Sequence, residues 1–191
     1  IIIPLSFNTE PYFTFTERML HLDPAGFSPR WYDQLLTFGS RDPNAPRDAT
    51  WWWDVWQNAT WVQAAKNSVV IGVLSAALAT LLGTVAALGL SRPDMPFRRP
   101  IMAILISPMI VPVIITATGL FFFYSKVGLT QTYGGIILAH ALLGVPFVVI
   151  TVTATLVGFD HSLERAAASL GAPPLLTFRK VVLPLILPGL L

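Results

Sequence analysis

His140 is the one ionisable side chain within the otherwise uncharged stretch 134–158, so proton chemistry inside it has a single candidate. A histidine there should face protein or water rather than lipid, and with no acidic partner it makes a poor proton relay. A neutral imidazole joining two helices is the favoured reading. A second feature lies between residues 8 and 62, where Trp31, Trp52 and Trp56 stand among Glu10, Glu17, Asp23, Asp33, Asp42, Asp48 and Asp54. Rings and carboxylates together attract organic ammonium groups, so these tryptophans are candidate contacts for a solute or a delivering protein. Trp and Tyr also gather at bilayer headgroups, and an interfacial belt is the favoured reading. The third feature is a break in a helical pattern. Leu163-Glu164-Arg165-Ala166-Ala167-Ala168-Ser169-Leu170 is followed by Gly171, then by Pro173-Pro174. Gly171 permits backbone conformations closed to other residues, and the prolines stop one helix and suit the start of the next. Two short helices of this kind make a docking knob. The chain has no cysteine, no paired acid and base at one depth, no metal-ligand cluster and no G-x-x-x-x-G-K-[ST] run. No catalytic residue, metal or cofactor is therefore expected.

Composition says what must position these residues. Hydrophobic residues make up 54% of the chain and charged ones 12%, with mean hydropathy +0.65; a soluble domain carries about 25% charged residues. No Asp, Glu, Lys or Arg falls in 67–90, 101–124 or 134–158. As helices, each of these reaches roughly 36 Å, more than a hydrocarbon core of about 30 Å. An all-α integral membrane protein is predicted, with three intact spans. A net charge of +2 and no basic stripe exclude a nucleic-acid binder, despite a pI near 9.2. Arg92, Arg98 and Arg99 lie in 91–100, Lys126 alone in 125–133, and Arg165, Arg179 and Lys180 in 159–180. Short loops rich in Lys and Arg stay in the cytoplasm. That places 91–100 and 159–180 inside, and the aromatic segment 8–62 outside with 125–133. The chain starts at Ile1 without Met and stops at Leu191 in an apolar run, so a cut span is expected at each end, the first in 1–7.

Within the first span, small residues recur every fourth position along Gly72, Ala76, Thr80 and Thr84, and along Ser75, Ala79, Gly83 and Ala87. Such ridges let helix backbones approach closely in lipid. Pro108 and Pro112 in the second span and Pro146 in the third each remove a backbone donor, so each marks a kink or a broken helix beside a pathway. Outside, Ser28-Pro29 predicts a cap followed by a first-turn proline, with Trp31, Tyr32, Leu35 and Leu36 on one helical face. A second helix is expected to start near Thr50 and run through Trp51, Trp52, Trp53, Trp56 and Trp61 into the first span.

The cytoplasmic stretch resembles the EAA loop of inner-membrane permeases of binding-protein-dependent ABC importers, E-A-A-x3-G-x9-I-x-L-P. Ala166, Ala167, Gly171, Leu183 and Pro184 match. Arg165 stands where the first Glu belongs, Val181 replaces Ile, and Glu164 comes one residue early, about 100° round a helix. Ser6-Phe7-Asn8, Arg30-Trp31-Tyr32 and His140 through Pro146-Phe147-Val148-Val149 look like the spermidine/putrescine permease branch, and 39–61 looks like a local elaboration. The resemblance implies a type I ABC importer permease of about six spans in the bacterial inner membrane, with its core in 63–191. It implies a separate ATPase subunit, present as a homodimer, that binds the ATP and docks on Glu164, Arg165, Ala166, Ala167, Gly171, Leu183 and Pro184. It further implies a second permease subunit, a periplasmic solute-binding protein, and surrounding membrane lipid. The cargo implied is polyamine-like, with an amino-acid-like compound, a phosphonate or ferric iron as alternatives in the same family. An ion-coupled secondary transporter would need carboxylates inside the spans, and these spans have none.

Overall fold

The computed structural model describes residues 2–12, 14–92, 94–156, 159–160 and 162–189. Val157 and Gly158 of the third uncharged stretch, His161 of the loop 159–180, and Ile1, Leu190 and Leu191 of the expected cut spans lie outside them. Among the described residues the chain is helical, apart from an isolated antiparallel bridge between Asn8 and Phe27. It forms two compact units, Ile1–Val69 and Val70–Leu191.

In the first unit, α1 (Ile2–Leu5), α2 (Glu17–Leu20), a 3-10 turn (Pro24–Gly26), α3 (Arg30–Thr37) and α4 (Ala49–Asn58) lead into α5 (Thr60–Leu90). These short helices depend on polar groups to fix them. Asn8 is 1% exposed; its Nδ2 donates to the carbonyls of Tyr12 (2.9 Å) and Thr14 (2.8 Å), and its Oδ1 accepts from Glu10 N–H (2.9 Å). Its carbonyl accepts from Trp31 Nε1 at 2.8 Å, which ties α3 to the N-terminal turn. A buried amide satisfied on both its ends fixes a loop in one conformation. Ser28 does not cap α3 as predicted. Pro29 takes the cap position, and Ser28 Oγ accepts from Arg30 N–H at 3.3 Å.

The helix expected to run from Thr50 into the first span is two helices. Asp48 opens α4, its carboxylate accepting from Thr50 Oγ1 (2.6 Å) and Trp51 N–H (2.9 Å). Those bonds, the hydroxyl's first, hold the exposed carboxyl below its ordinary pKa. At Ala59 the backbone turns extended (ψ 122°), because Thr60 N–H bonds Phe38 O at 2.9 Å, not the carbonyl four residues back.

In the second unit the rest of α5 joins α6 (Arg98–Ile110), α7 (Val113–Val127), α8 (Tyr133–Leu156), α9 (Ser162–Ser169) and α10 (Pro174–Thr177). A π-helical turn, Phe178–Val182, follows, then α11 (Leu183–Ile186) and a 3-10 turn, Leu187–Gly189. α5 and α8 are long and apolar enough to cross a membrane. The second uncharged stretch is not one straight helix: α6 and α7 meet at a bend of 101°. The break falls at Val111, which is extended (ψ 133°), as a residue before proline prefers, and Pro112 then starts α7. Crossings therefore number two among the described residues, or three with the bent pair as one broken span. Pro108 and Pro146 lie inside α6 and α8 without ending them.

Of the two small-residue ridges on α5, the fold buries one along its whole length. Ser75, Ala79, Gly83 and Ala87 are buried, whereas on the other Gly72 and Ala76 are exposed, Thr80 is half-buried and Thr84 alone is buried. A Cβ on Gly83 would lie 2.6 Å from Val148 Cβ, and one on Gly144 would lie 3.0 Å from Ala79 Cβ. α5 and α8 thus cross on glycines, one from each helix. Below that crossing Ala87, Val152, Leu156, Val182 and Ile186 form the core that binds α5, α8, the π turn and α11 together.

Candidate functional site

The residues of the predicted docking stretch form a continuous device on the second unit. Asp160 Oδ1 accepts from Ser162 N–H at 2.8 Å and begins α9. The helix ends in a Schellman motif: Ala172 N–H bonds Ala167 O at 3.0 Å and Gly171 N–H bonds Ala168 O at 2.9 Å. That closure needs a left-handed residue, and Gly171 has φ +79°. Pro173 is extended (ψ 156°) and Pro174 opens α10. Glycine, then proline, set the angle between two short helices by covalent geometry.

Side chains divide by face. Arg165, Ala166 and Gly171 are exposed, and Leu170 and Leu175 on either side of the glycine are 88% and 79% exposed. Glu164 is half-buried and lines a cavity of about 510 Å³ with Ser91, Arg92, Thr177 and Phe178. The one-residue offset between Glu164 and the motif position of Arg165 thus separates an inward carboxylate from an outward guanidinium. Leu183 is half-buried and Pro184 exposed in the first turn of α11. Lacking an N–H and crowding the carbonyl four residues back, Pro184 favours a widened turn before it. The preceding π turn meets that demand, with Leu183 N–H bonding Phe178 O. The sequence pattern did not reveal this π turn, although Pro184 was its signal.

His140 does not bridge two helices through its Nδ1. That atom lies 2.9 Å from Ile136 O, one turn back on α8. Because a carbonyl only accepts, Nδ1 carries the proton in this bond. The ring lines a cavity of about 310 Å³ between α7 and α8, with Thr116, Leu120, Tyr124 and Leu143. Pro108, Pro112 and Pro146 are not among that cavity's lining residues, although Val113, directly after the Pro112 break, is.

The tryptophans chosen as candidate contacts do not share a site. Trp31 lines a cavity of about 470 Å³ in the first unit with Glu10, Tyr12, Tyr32 and Trp61; Trp52 and Trp56 lie outside its lining. Tyr32 is held there by stacking on Phe7, with centroids 5.0 Å apart, and by a 2.6 Å hydrogen bond shared with Ser6 Oγ. One face of Trp31 already carries the Arg30 guanidinium, 4.3 Å from its centroid. Glu10, Tyr12, Tyr32 and Trp61 are thus the groups left to meet a cation. The sequence sets the tryptophans beside seven acids, Glu10 among them, but does not single out Tyr12, Tyr32 or Asn8 as part of a site; Asn8 anchors the turn that carries Glu10 and Tyr12.

A membrane protein of apolar helices, one pair sharply broken, with a glycine-hinged helix pair packed beside them, has the architecture of an importer permease. Comparison with known proteins agrees: residues 79–191 match the family of binding-protein-dependent transport system inner membrane components. The chain belongs to that family, whose members are multi-pass inner-membrane permeases of ABC transporters and not enzymes. It is 31% identical over 189 residues to the spermidine/putrescine transport system permease protein PotC of Haemophilus influenzae, covering 99% of this chain and 63% of that protein. The PotC protein of Escherichia coli is 28% identical over 176 residues, 92% of this chain and 59% of its own length. The trehalose transport system permease protein SugB of Mycobacterium tuberculosis is 34% identical over 127 residues, 66% of this chain and 46% of its own. The chain therefore spans less than two thirds of the length of each of these relatives.

Proposed function

We propose that this chain is part of a permease that imports a polyamine-like solute, driven by ATP hydrolysis in a separate ATPase subunit that docks on the α9–Gly171–α10 pair. The observation that carries the reading is that pair: two short helices at an angle fixed by Gly171, with Leu170 and Leu175 exposed beside it. Exposed apolar side chains clustered on a rigid knob suit a protein contact. ATP binds the partner, a second permease subunit completes the pathway, and a periplasmic binding protein delivers cargo from the side of residues 8–62. In reconstituted vesicles, labelled spermidine uptake is expected only with ATP, the ATPase and the binding protein together. Uptake by the permease alone would overturn the reading.

The polyamine reading is supported by the two PotC relatives and by Glu10 beside three rings in the first-unit cavity. An ammonium group gains about 0.5–1 kcal/mol from an exposed aromatic face, and an exposed ion pair gains a similar amount. Glu10→Gln is expected to raise the KM for spermidine about fivefold, with kcat unchanged. The trehalose permease relative supports a second reading, a neutral solute stacking on the same rings. For such a solute Glu10→Gln would leave KM unchanged, so transport assays with both cargo classes decide.

Three basic residues in 91–100 against Lys126 alone in 125–133 support one broken crossing for this pair. A re-entrant pair would return Lys126 to the side of Arg98 and Arg99. A membrane-impermeant maleimide added outside should label Lys126→Cys and spare Arg98→Cys in sealed cells. Labelling of both or neither would mean a re-entrant pair.

A further inference from the structure

We propose that α4 is an interfacial helix whose exposed tryptophan face, Trp52, Trp53 and Trp56, sits in the phospholipid headgroup layer at the end of α5 nearer Lys66. α4 is apolar on two faces. One carries Trp51 and Val55, which with the C-cap residue Ala59 are buried against Leu36, Ala45 and Val62. The other leaves Trp52, Trp53 and Trp56 at 52%, 65% and 55% exposure. The first face is accounted for by the fold of the unit; the second requires an occupant.

A tie between α4 and α5 fixes the depth of that second face. Lys66 is the last charged residue before 67–90, which holds no Asp, Glu, Lys or Arg. In a helix that crosses a bilayer, such a residue sits at the water–lipid boundary. Lys66 Nζ donates to the Trp56 carbonyl and stands 3.7 Å over the centroid of the Trp56 ring. Gln63 Nε2 donates to the same carbonyl at 2.8 Å and to Gln57 O at 2.7 Å. Trp56 is thereby held at the level of Lys66.

These bonds also explain how a helix can end at that depth. With Thr60 N–H engaged by Phe38 O, the Trp56 carbonyl has lost the donor a continuous helix would supply. Carbonyls left open near lipid are costly, and side chains from the first turns of α5 fill them. Both carboxylates of α4 and its N-cap are engaged. Asp48 caps the far terminus of α4, while Asp54, two residues before Trp56, accepts from Arg41 N–H at 2.8 Å and from Asn58 Nδ2 at 2.6 Å. A helix with indoles on one face and a lysine over the last of them suits the headgroup layer, where each ring finds apolar chain on one side and polar groups on the other.

The chain has no cysteine, so an introduced label is unique within it. Spin labels at Trp52→Cys and Trp53→Cys, with exposed Asn44→Cys as the water reference, would be read in the permease in phosphatidylethanolamine–phosphatidylglycerol vesicles. Labels on α4 are expected to collide several-fold less with a water-soluble nickel chelate than the reference does, and more with oxygen. Labels as open to nickel as Asn44→Cys would overturn the proposal, as would labels shielded from both reagents, which would mean a protein covers the face. Should the labels disturb folding, lipids brominated near the headgroup offer a second reading on unlabelled protein. Their quenching of tryptophan emission should fall in the Trp52→Phe/Trp53→Phe/Trp56→Phe variant, and unchanged quenching would refute the anchor.

Discussion

Gly171→Val should abolish ATP-driven uptake while leaving the protein in the membrane at normal levels, and Gly171→Asn should keep most of it. Space does not decide this, because among the described residues no atom beyond the chain neighbours lies within 4 Å of where a Cβ would stand. Backbone conformation does. At φ +79° a side-chain-bearing residue meets the left-handed penalty, about 1–2 kcal/mol for an ordinary residue and more for a β-branched one. Valine escapes only by leaving that conformation, which breaks the bonds from Ala172 N–H to Ala167 O and from Gly171 N–H to Ala168 O. α10 would then leave α9 at another angle, and a docking surface made of both helices would be lost. Asparagine tolerates the left-handed region, so the angle survives. Gly171→Asp separates geometry from contact: it also tolerates that region but adds a charge between Leu170 and Leu175. Uptake falling in the order Asn, Asp, Val, with ATPase copurification lost in the same order, is the expected result. Normal uptake by the valine variant would remove the hinge from the mechanism.

The sequence made some of this legible and hid the rest for physical reasons. Charge-free stretches located α5 and α8, because a missing charge is a local property that no tertiary contact can reverse. Gly171 was readable for the same reason, since a helix followed by Gly and Pro-Pro has few ways to continue. The two equivalent ridges on α5 were not separable, because choosing between them requires knowing where Val148 and Gly144 lie on another helix. The break at Ala59 was hidden too. Alanine is a good helix former, and what ends α4 there is a bond between Thr60 and Phe38, distant in sequence. Three prolines looked alike in sequence, yet only Pro112 coincides with the sharp bend. The cavity beside Glu10 depends on Asn8, whose role rests on four partners spread from Glu10 to Trp31.

Gly83→Ala should destabilise the second unit far more than Gly72→Ala, although both add one methyl to the same helix. At Gly72, among the described residues, no atom beyond the adjoining backbone of α5 lies within 4 Å of the new Cβ, and alanine gains helix propensity there. At Gly83 the new Cβ would sit 2.6 Å from Val148 Cβ, 2.7 Å from its Cγ1 and 3.3 Å from the Val145 carbonyl oxygen. A backbone carbonyl cannot rotate away as a side-chain tip can, so α5 and α8 have to separate. Between apolar helices in lipid, close packing supplies much of the association energy that water supplies elsewhere, and separation forfeits it along the whole ridge from Ala79 to Ala87. Overpacking of this kind costs about 1–3 kcal/mol. The expected readout is a lower midpoint of thermal or denaturant unfolding in detergent for Gly83→Ala, with Gly72→Ala at or slightly above the parent. Moving the gap to the other helix tests the cause. Gly83→Ala with Val148→Gly restores the missing Cβ pair with its roles exchanged, and a coupling of about 0.5–3 kcal/mol between the two sites is expected. Equal midpoints for Gly83→Ala and Gly72→Ala would mean that the two helices do not meet on this ridge.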